Sequence, residues 1–238
     1  MRLSDAQVIG RIPQSDNTNR AIRDERFQMI ICFGDSLTAG FQSPTYANPT
    51  GAETPYGRFL QERLGSGVEI RISGICGELT GEMAMRFRND VISHRPSHVV
   101  ILGGTNDLGW NAKPADIMRN LVKMYESARA AQIMPVPVTV PSIRVEEASG
   151  SPDAEKWIGQ HLERRSELND LIREYAVSKQ LRWIDLFTAT AERPTCQLAQ
   201  EYSNDGLHLT TAGYRLLAQL LYDQVFVNAF PDAGMRKP

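Results

Sequence analysis

Cysteine is scarce in this 238-residue chain: Cys32, Cys76 and Cys196 are too few and too far apart for a disulfide framework or a zinc site. Neither sign of charge is in excess. The 26 Lys and Arg against 28 Asp and Glu leave a net charge of −2, which gives no electrostatic footing for nucleic acid or an anionic membrane surface. No apolar run approaches the ~20 residues needed to cross a bilayer, and the polar stretch Met1 to Glu25 lacks the apolar core of a secretory signal. The expected location is therefore cytoplasmic and reducing, without stable membrane insertion. A Gly-x-Gly-x-x-Gly turn and a Gly-Lys-Ser/Thr loop are also missing, which argues against nucleotide binding. Repeats and low-complexity segments are absent. A hydrophobic content of 42% and this length suit one well-cored soluble domain. We place a polar extension at 1–25, the domain at 26–228 and a tail at 229–238.

Within the domain, five apolar runs predict strands: Phe27–Phe33, Val68–Ile72, His98–Leu102, Ile133–Val140 and Gln180–Leu186. Helices are predicted between them. One follows Thr54 as N-cap with Pro55 at its first position and Gly65 at its close; others span about 78–93, 114–130 and 154–179, and a last one starts at Thr210 or Thr211. This alternation predicts an α/β fold, a three-layer α/β/α sandwich on a five-stranded parallel sheet of flavodoxin-like order 2-1-3-4-5. Ligands of such sheets bind beyond the carboxyl ends of the strands. The polar turns Gly34–Gly40, Ser73–Gly77 and Gly103–Asp107 all fall at that edge.

Gly34-Asp35-Ser36-Leu37 has two readings: a turn capping the next helix, or a serine nucleophile at the end of the first strand. A serine hydroxyl needs a base, commonly histidine. His94 and His98 lie at the far end of the third strand and are expected to pack at the surface; His161 sits in a charged helix and is expected to be solvated. His208 alone lies in a glycine-bearing loop, three residues after Asp205. That spacing lets the carboxylate fold back onto Nδ1 and leaves Nε2 as acceptor for the serine proton. Oxyanion donors could come from the Ser36 N–H, an N–H of a glycine turn and the Asn106 amide, although Asn is also a common turn residue. Cys76 is expected only to pack.

Gly34-Asp35-Ser36-Leu37, a glycine after the second strand, Gly103-Gly104-Thr105-Asn106-Asp107 and Asp205-Gly206-Leu207-His208 occur in an order that resembles the SGNH, or GDSL-type, hydrolase family. The resemblance spans about residues 27–226. It implies hydrolysis of a small-molecule ester through an acyl-enzyme, with no cofactor and no metal. By position, Ser36 resembles the nucleophile, His208 the base and Asp205 its orienter. Gly77 and Asn106 resemble oxyanion donors alongside the Ser36 amide, while Asp35 and Asp107 hold loops. The second block departs from the family pattern, lacking the usual Asn before its glycine. Gly77 is preferred to Gly74 because an acidic residue and then Thr80 follow it. Position 38 is Thr, so the serine context is not Gly-x-Ser-x-Gly. The leading expectation is an esterase for short or medium acyl esters: a lysolipid, an acetylated sugar or an aryl ester. Acyl transfer to an alcohol is the alternative, and a non-catalytic binding domain a remote one. Loops 41–53, 110–113 and 141–153 are expected to shape the substrate pockets.

Overall fold

A computed structural model describes residues 28–145 and 152–230. The expected extension 1–25, part of loop 141–153 and residues 231–238 of the expected tail lie outside the described residues. Phe230, at the start of that tail, is buried beside His98 and Phe226.

The first half of the chain forms β1 (Met29–Gly34), α1 (Ser36–Ala39), β2 (Phe41–Gln42), β3 (Ala52–Glu53), α2 (Tyr56–Leu64), β4 (Glu69–Gly74) and α3 (Thr80–Asp90). The second half forms β5 (His98–Leu102), α4 (Thr105–Gly109), α5 (Pro114–Ala130), β6 (Met134–Pro137), α6 (Pro152–Ser178), α7 (Leu186–Thr190) and α8 (Thr211–Leu221). Four strands make a parallel sheet in the order β4-β1-β5-β6. Helices α2 and α8 pack together on one side, and α3, α5 and α6 on the other, giving three layers. Strand β1 is buried along its whole length, as its unbroken apolar run requires of a strand covered on both faces. Each large side chain it buries, such as Ile30 or Phe33, contributes about 1.5–3 kcal/mol. Helix α5 buries Ile117, Leu121, Met124 and Ala128, spaced to share one face.

The predicted fifth strand is reduced to a single parallel bridge between Val138 and Ile184. Its absence has a local cause. The N–H groups of Met134 and Val138 point to β5, donating to Ser97 and Ile101 at 3.0 and 3.2 Å. Pro135 and Pro137 therefore face outward, where a fifth strand would need donors that proline lacks. The first outward donor is Thr139, which bonds Ile184 at 3.0 Å. One residue on, the Asn169 side chain pairs both backbone groups of Val140, at 2.8 and 3.0 Å, in place of a strand.

Two other expectations shift. Pro55, not Thr54, is the N-cap of α2, and Thr54 instead accepts a hydrogen bond from Gln42 at 2.6 Å. The β2–β3 hairpin and α7 occupy stretches read as loops. Among the described residues no helix is long and apolar enough to cross a membrane. The sheet register sets up the site: Gly34 lies opposite Gly74 on one side and Leu102 on the other. The turns that follow β1, β4 and β5 therefore leave the sheet at one level.

Candidate active site

Asp35 caps α1, its Oδ1 accepting the Leu37 N–H at 2.9 Å, and Ser36 is the first helical residue. The capping reading and the nucleophile reading thus draw on different residues, and the Ser36 side chain is left available. Asp35 is wholly buried, which pushes its carboxyl up to about 7, and its Oδ2 has no partner among the described residues.

The Asp205–His208 loop meets Ser36 from the other end of the chain. Asp205 Oδ1 accepts the backbone N–H groups of Leu207 and His208 at 2.8 and 2.7 Å. Its Oδ2 accepts from His208 Nδ1 at 2.7 Å and from the Ser43 hydroxyl. A carboxylate only accepts, so Nδ1 carries a proton, and Nε2 faces Ser36 Oγ at 3.2 Å. Burial pushes the Asp205 carboxyl up, but the donors His208, Ser43 and the two amides outweigh it and hold the group well below the usual carboxylate range. The Phe41 ring packs edge-on against the imidazole, centroids 4.6 Å apart. Gln42 ties the hairpin to the start of α8, donating to Thr211 Oγ1 at 2.9 Å and accepting the Thr211 N–H at 3.2 Å.

Gly77 and Gly74 are separated by their surroundings. Gly77 has φ +79° and open space where a Cβ would stand, and among the described residues no acceptor takes its N–H. A Cβ on Gly74 would come 2.2 Å from the Ala39 nitrogen, so that glycine serves close packing of α1 on β4. Asn106 donates to the Glu78 carbonyl at 2.9 Å, pinning the Gly77 turn and keeping a second amide hydrogen free. Asp107 accepts from the Thr80 N–H and hydroxyl at 3.0 and 2.7 Å, which anchors the start of α3. Arg86 clamps the same turn from behind. It donates to Glu78 at 2.7 and 2.9 Å, to Ser73 at 2.6 Å and to the Gly34 carbonyl at 2.9 Å, with its guanidinium over the Phe33 ring.

His161 is not solvated: it is 3% exposed and forms part of a cavity wall. Cys76 is exposed and does not pack, whereas Cys32 is buried and its thiol is pushed up to about 12. The cavity, of 420 Å³, adjoins Asn106 and the Asp205–Leu207 loop and is bordered by Trp110, Trp157, Ile143 and Arg144. Ser43, His161, Trp157 and Arg165 are site residues that sequence reasoning missed. A signal existed for two of them. Ile158, His161, Arg165, Leu168 and Ile172 recur every three or four residues along α6 and are all buried. Among the described residues no three His, Cys, Asp or Glu side chains cluster as metal ligands.

A protein-family model described as "GDSL-like Lipase/Acylhydrolase family" matches residues 32–216. The chain is similar to the Bacillus subtilis (strain 168) protein named "Uncharacterized lipoprotein YqeF", with 26% identity over 227 residues, 83% of this chain and 89% of that one. It is similar to the solved structure of the lipase/acylhydrolase from Enterococcus faecalis, at 25% identity and a TM-score of 0.64, covering 89% of this chain and 98% of the other. A carbohydrate acetylesterase from Sinorhizobium meliloti shares the fold at 20% identity and a TM-score of 0.67, over 84% of this chain and 99% of that one.

Proposed function

The chain belongs to the GDSL-like lipase/acylhydrolase family, and we propose that it is a serine esterase that hydrolyses carboxylic esters of short or medium acyl length through an acyl-Ser36 intermediate. The observation that carries this reading is the engagement of both ring nitrogens of His208, Nδ1 by Asp205 at 2.7 Å and Nε2 by Ser36 Oγ at 3.2 Å. Ser36 Oγ attacks the ester carbonyl as its proton passes to Nε2. Asp205 stays ionised, keeps the ring in one tautomer and stabilises the imidazolium. The tetrahedral oxyanion accepts from the N–H groups of Ser36 and Gly77 and from the free amide hydrogen of Asn106. Collapse breaks the C–O bond to the alcohol, which leaves with the proton from His208. Water then gives its proton to His208 and attacks the acyl carbon, releasing the acid and restoring Ser36.

The test is hydrolysis of p-nitrophenyl acetate together with covalent labelling by a fluorophosphonate. Ser36→Ala is expected to abolish both. Labelling that persists in that variant would overturn the nucleophile assignment.

A further inference from the structure

The cavity that adjoins Asn106 and Asp205 is lined by two arginines, Arg144 and Arg165, and by one carboxylate among the described residues. Arg165 is wholly buried in its wall and forms no ion pair with a carboxylate among the described residues. Its guanidinium donates to Thr105 Oγ1 at 2.8 Å and to the Pro141 carbonyl at 2.5 Å, and it faces His161 Nε2 at 3.3 Å; its Nε–H has no acceptor. His161 Nδ1 faces Arg164 at 3.3 Å. Burial, Arg165 and Arg164 bring His161 down to about 4, so the ring is neutral at neutral pH and has one acceptor nitrogen for two arginines. Burial lowers Arg165 to about 9, which leaves it cationic; Asp35 acts on it through space without an ion-pair contact.

Arg144, half-buried and also lining the cavity, donates to the carbonyls of Leu198 and Ser203 at 3.1 and 3.0 Å and likewise lacks an ion pair among the described residues. Among the described residues that line this cavity the one acid is Asp205, already occupied by His208, Ser43 and two amides. Buried cations are ordinarily paired, and a desolvated charge acts strongly on a ligand in an adjoining low-dielectric cavity. Apolar lining comes from Ile143, Leu207 and two indoles, Trp110 80% and Trp157 50% exposed, beside the polar Thr105 and Asn106.

We infer that this cavity takes esters bearing an anionic group, a carboxylate or a phosphate, on a flat apolar body that lies against the two indoles. The anion offers a counter-charge to Arg144 and to the buried Arg165, neither of which pairs with a carboxylate among the described residues. The catalytic part of the inference rests on the serine-esterase reading of the adjoining site; the binding part does not.

Trp110 and Trp157 are two of the three tryptophans in the chain, so intrinsic fluorescence reports occupancy without turnover. Benzoate, phenyl phosphate and the neutral benzamide are titrated into the wild type, Arg144→Gln and Arg165→Met. Saturable quenching is expected, with an anion bound about tenfold more tightly than benzamide and that preference lost in either variant. Equal binding of benzamide and both anions, or an anion preference unchanged in both variants, overturns the inference. The tighter of the two anions identifies carboxylate or phosphate. If Arg165→Met does not fold, Arg165→Lys is expected to keep the preference and Arg144→Gln decides the question alone. In the catalytic arm, kcat/KM is compared for p-nitrophenyl hemisuccinate and p-nitrophenyl butyrate. Hydrolysis of neither overturns the esterase reading while the titration still decides the cavity; hydrolysis of both without anion preference at binding overturns the inference alone.

Discussion

The Ser43 hydroxyl donates to Asp205 Oδ2, the same oxygen that accepts from His208 Nδ1. A residue just beyond β2 thus braces a carboxylate 162 positions away. Removing one donor to a charged acceptor costs about 1–2 kcal/mol where water can partly replace it. Ser43→Ala is expected to lower kcat by roughly 5- to 30-fold with little change in KM, the split that marks loss of an interaction felt in the transition state. Steady-state kinetics on p-nitrophenyl acetate check it.

Gly77 and Gly74 should respond to alanine in opposite ways. Gly77→Ala has room for its methyl but forces a φ of +79°, so the variant is expected to fold with modest loss of stability and large loss of kcat. Gly74→Ala drives a methyl into the Ala39 backbone and should lower Tm first. Asn106→Ala is expected to reduce kcat by roughly 10²–10³. Thermal melts beside kinetics separate the three; a Gly77→Ala enzyme with full kcat removes that amide from the oxyanion site.

Arg86 and Glu78 form a largely buried pair. Arg86→Met strands the Glu78 carboxylate and is expected to cost about 3–5 kcal/mol, whereas Arg86→Met with Glu78→Met should recover much of it. Urea denaturation reads both. A single variant as stable as the wild type would show the clamp to be dispensable.

Stability should fall in mild acid. His98, packed against Phe226 and Phe230, is brought down by burial from 6.5 to about 4, and His161 is likewise held near 4. The unfolded chain binds these two protons below about 6.5 while the folded chain refuses them until about 4, so their contribution is complete above pH 6.5 and is lost as pH falls toward 4. Asp35 acts with the opposite sign. Its carboxyl, raised from 3.8 to about 7, favours the folded state increasingly as pH falls through that interval. Two histidines outweigh one carboxyl. His98→Leu is expected to flatten the decline in Tm between pH 7.5 and 4.5, and Asp35→Asn to steepen it. The same slope in all three proteins would contradict this assignment.

Much of the site was legible because a parallel sheet converts sequence order into position. An apolar run ending in Gly34, and another ending before Gly103, place Ser36 and Asn106 at one edge whatever the side-chain detail. Asp205 and His208 were legible for a local reason, a three-residue spacing that closes on itself. Ser43 was not, because its partner lies across the fold and nothing in its neighbourhood marks it. His161 was misjudged because charged neighbours on α6 concealed a buried stripe in which a histidine and an arginine stand among Ile158, Leu168 and Ile172. The fifth strand failed through chemistry visible in Pro135 and Pro137, whose outward orientation follows only once the pairing with β5 is known.

The Ser36 hydroxyl and the His208 imidazole are 172 residues apart, one following the first strand of the sheet and the other preceding the last helix. During synthesis the serine emerges from the ribosome while its histidine has yet to be translated. On the proposed reading, the nascent chain carries Ser36 without its base for most of its synthesis, and the two meet only after the segment preceding α8 has been made and placed beside the hairpin. On that reading, chains that end before residue 208 lack the base for Ser36, and truncated products are expected to lose most of the activity of the full chain.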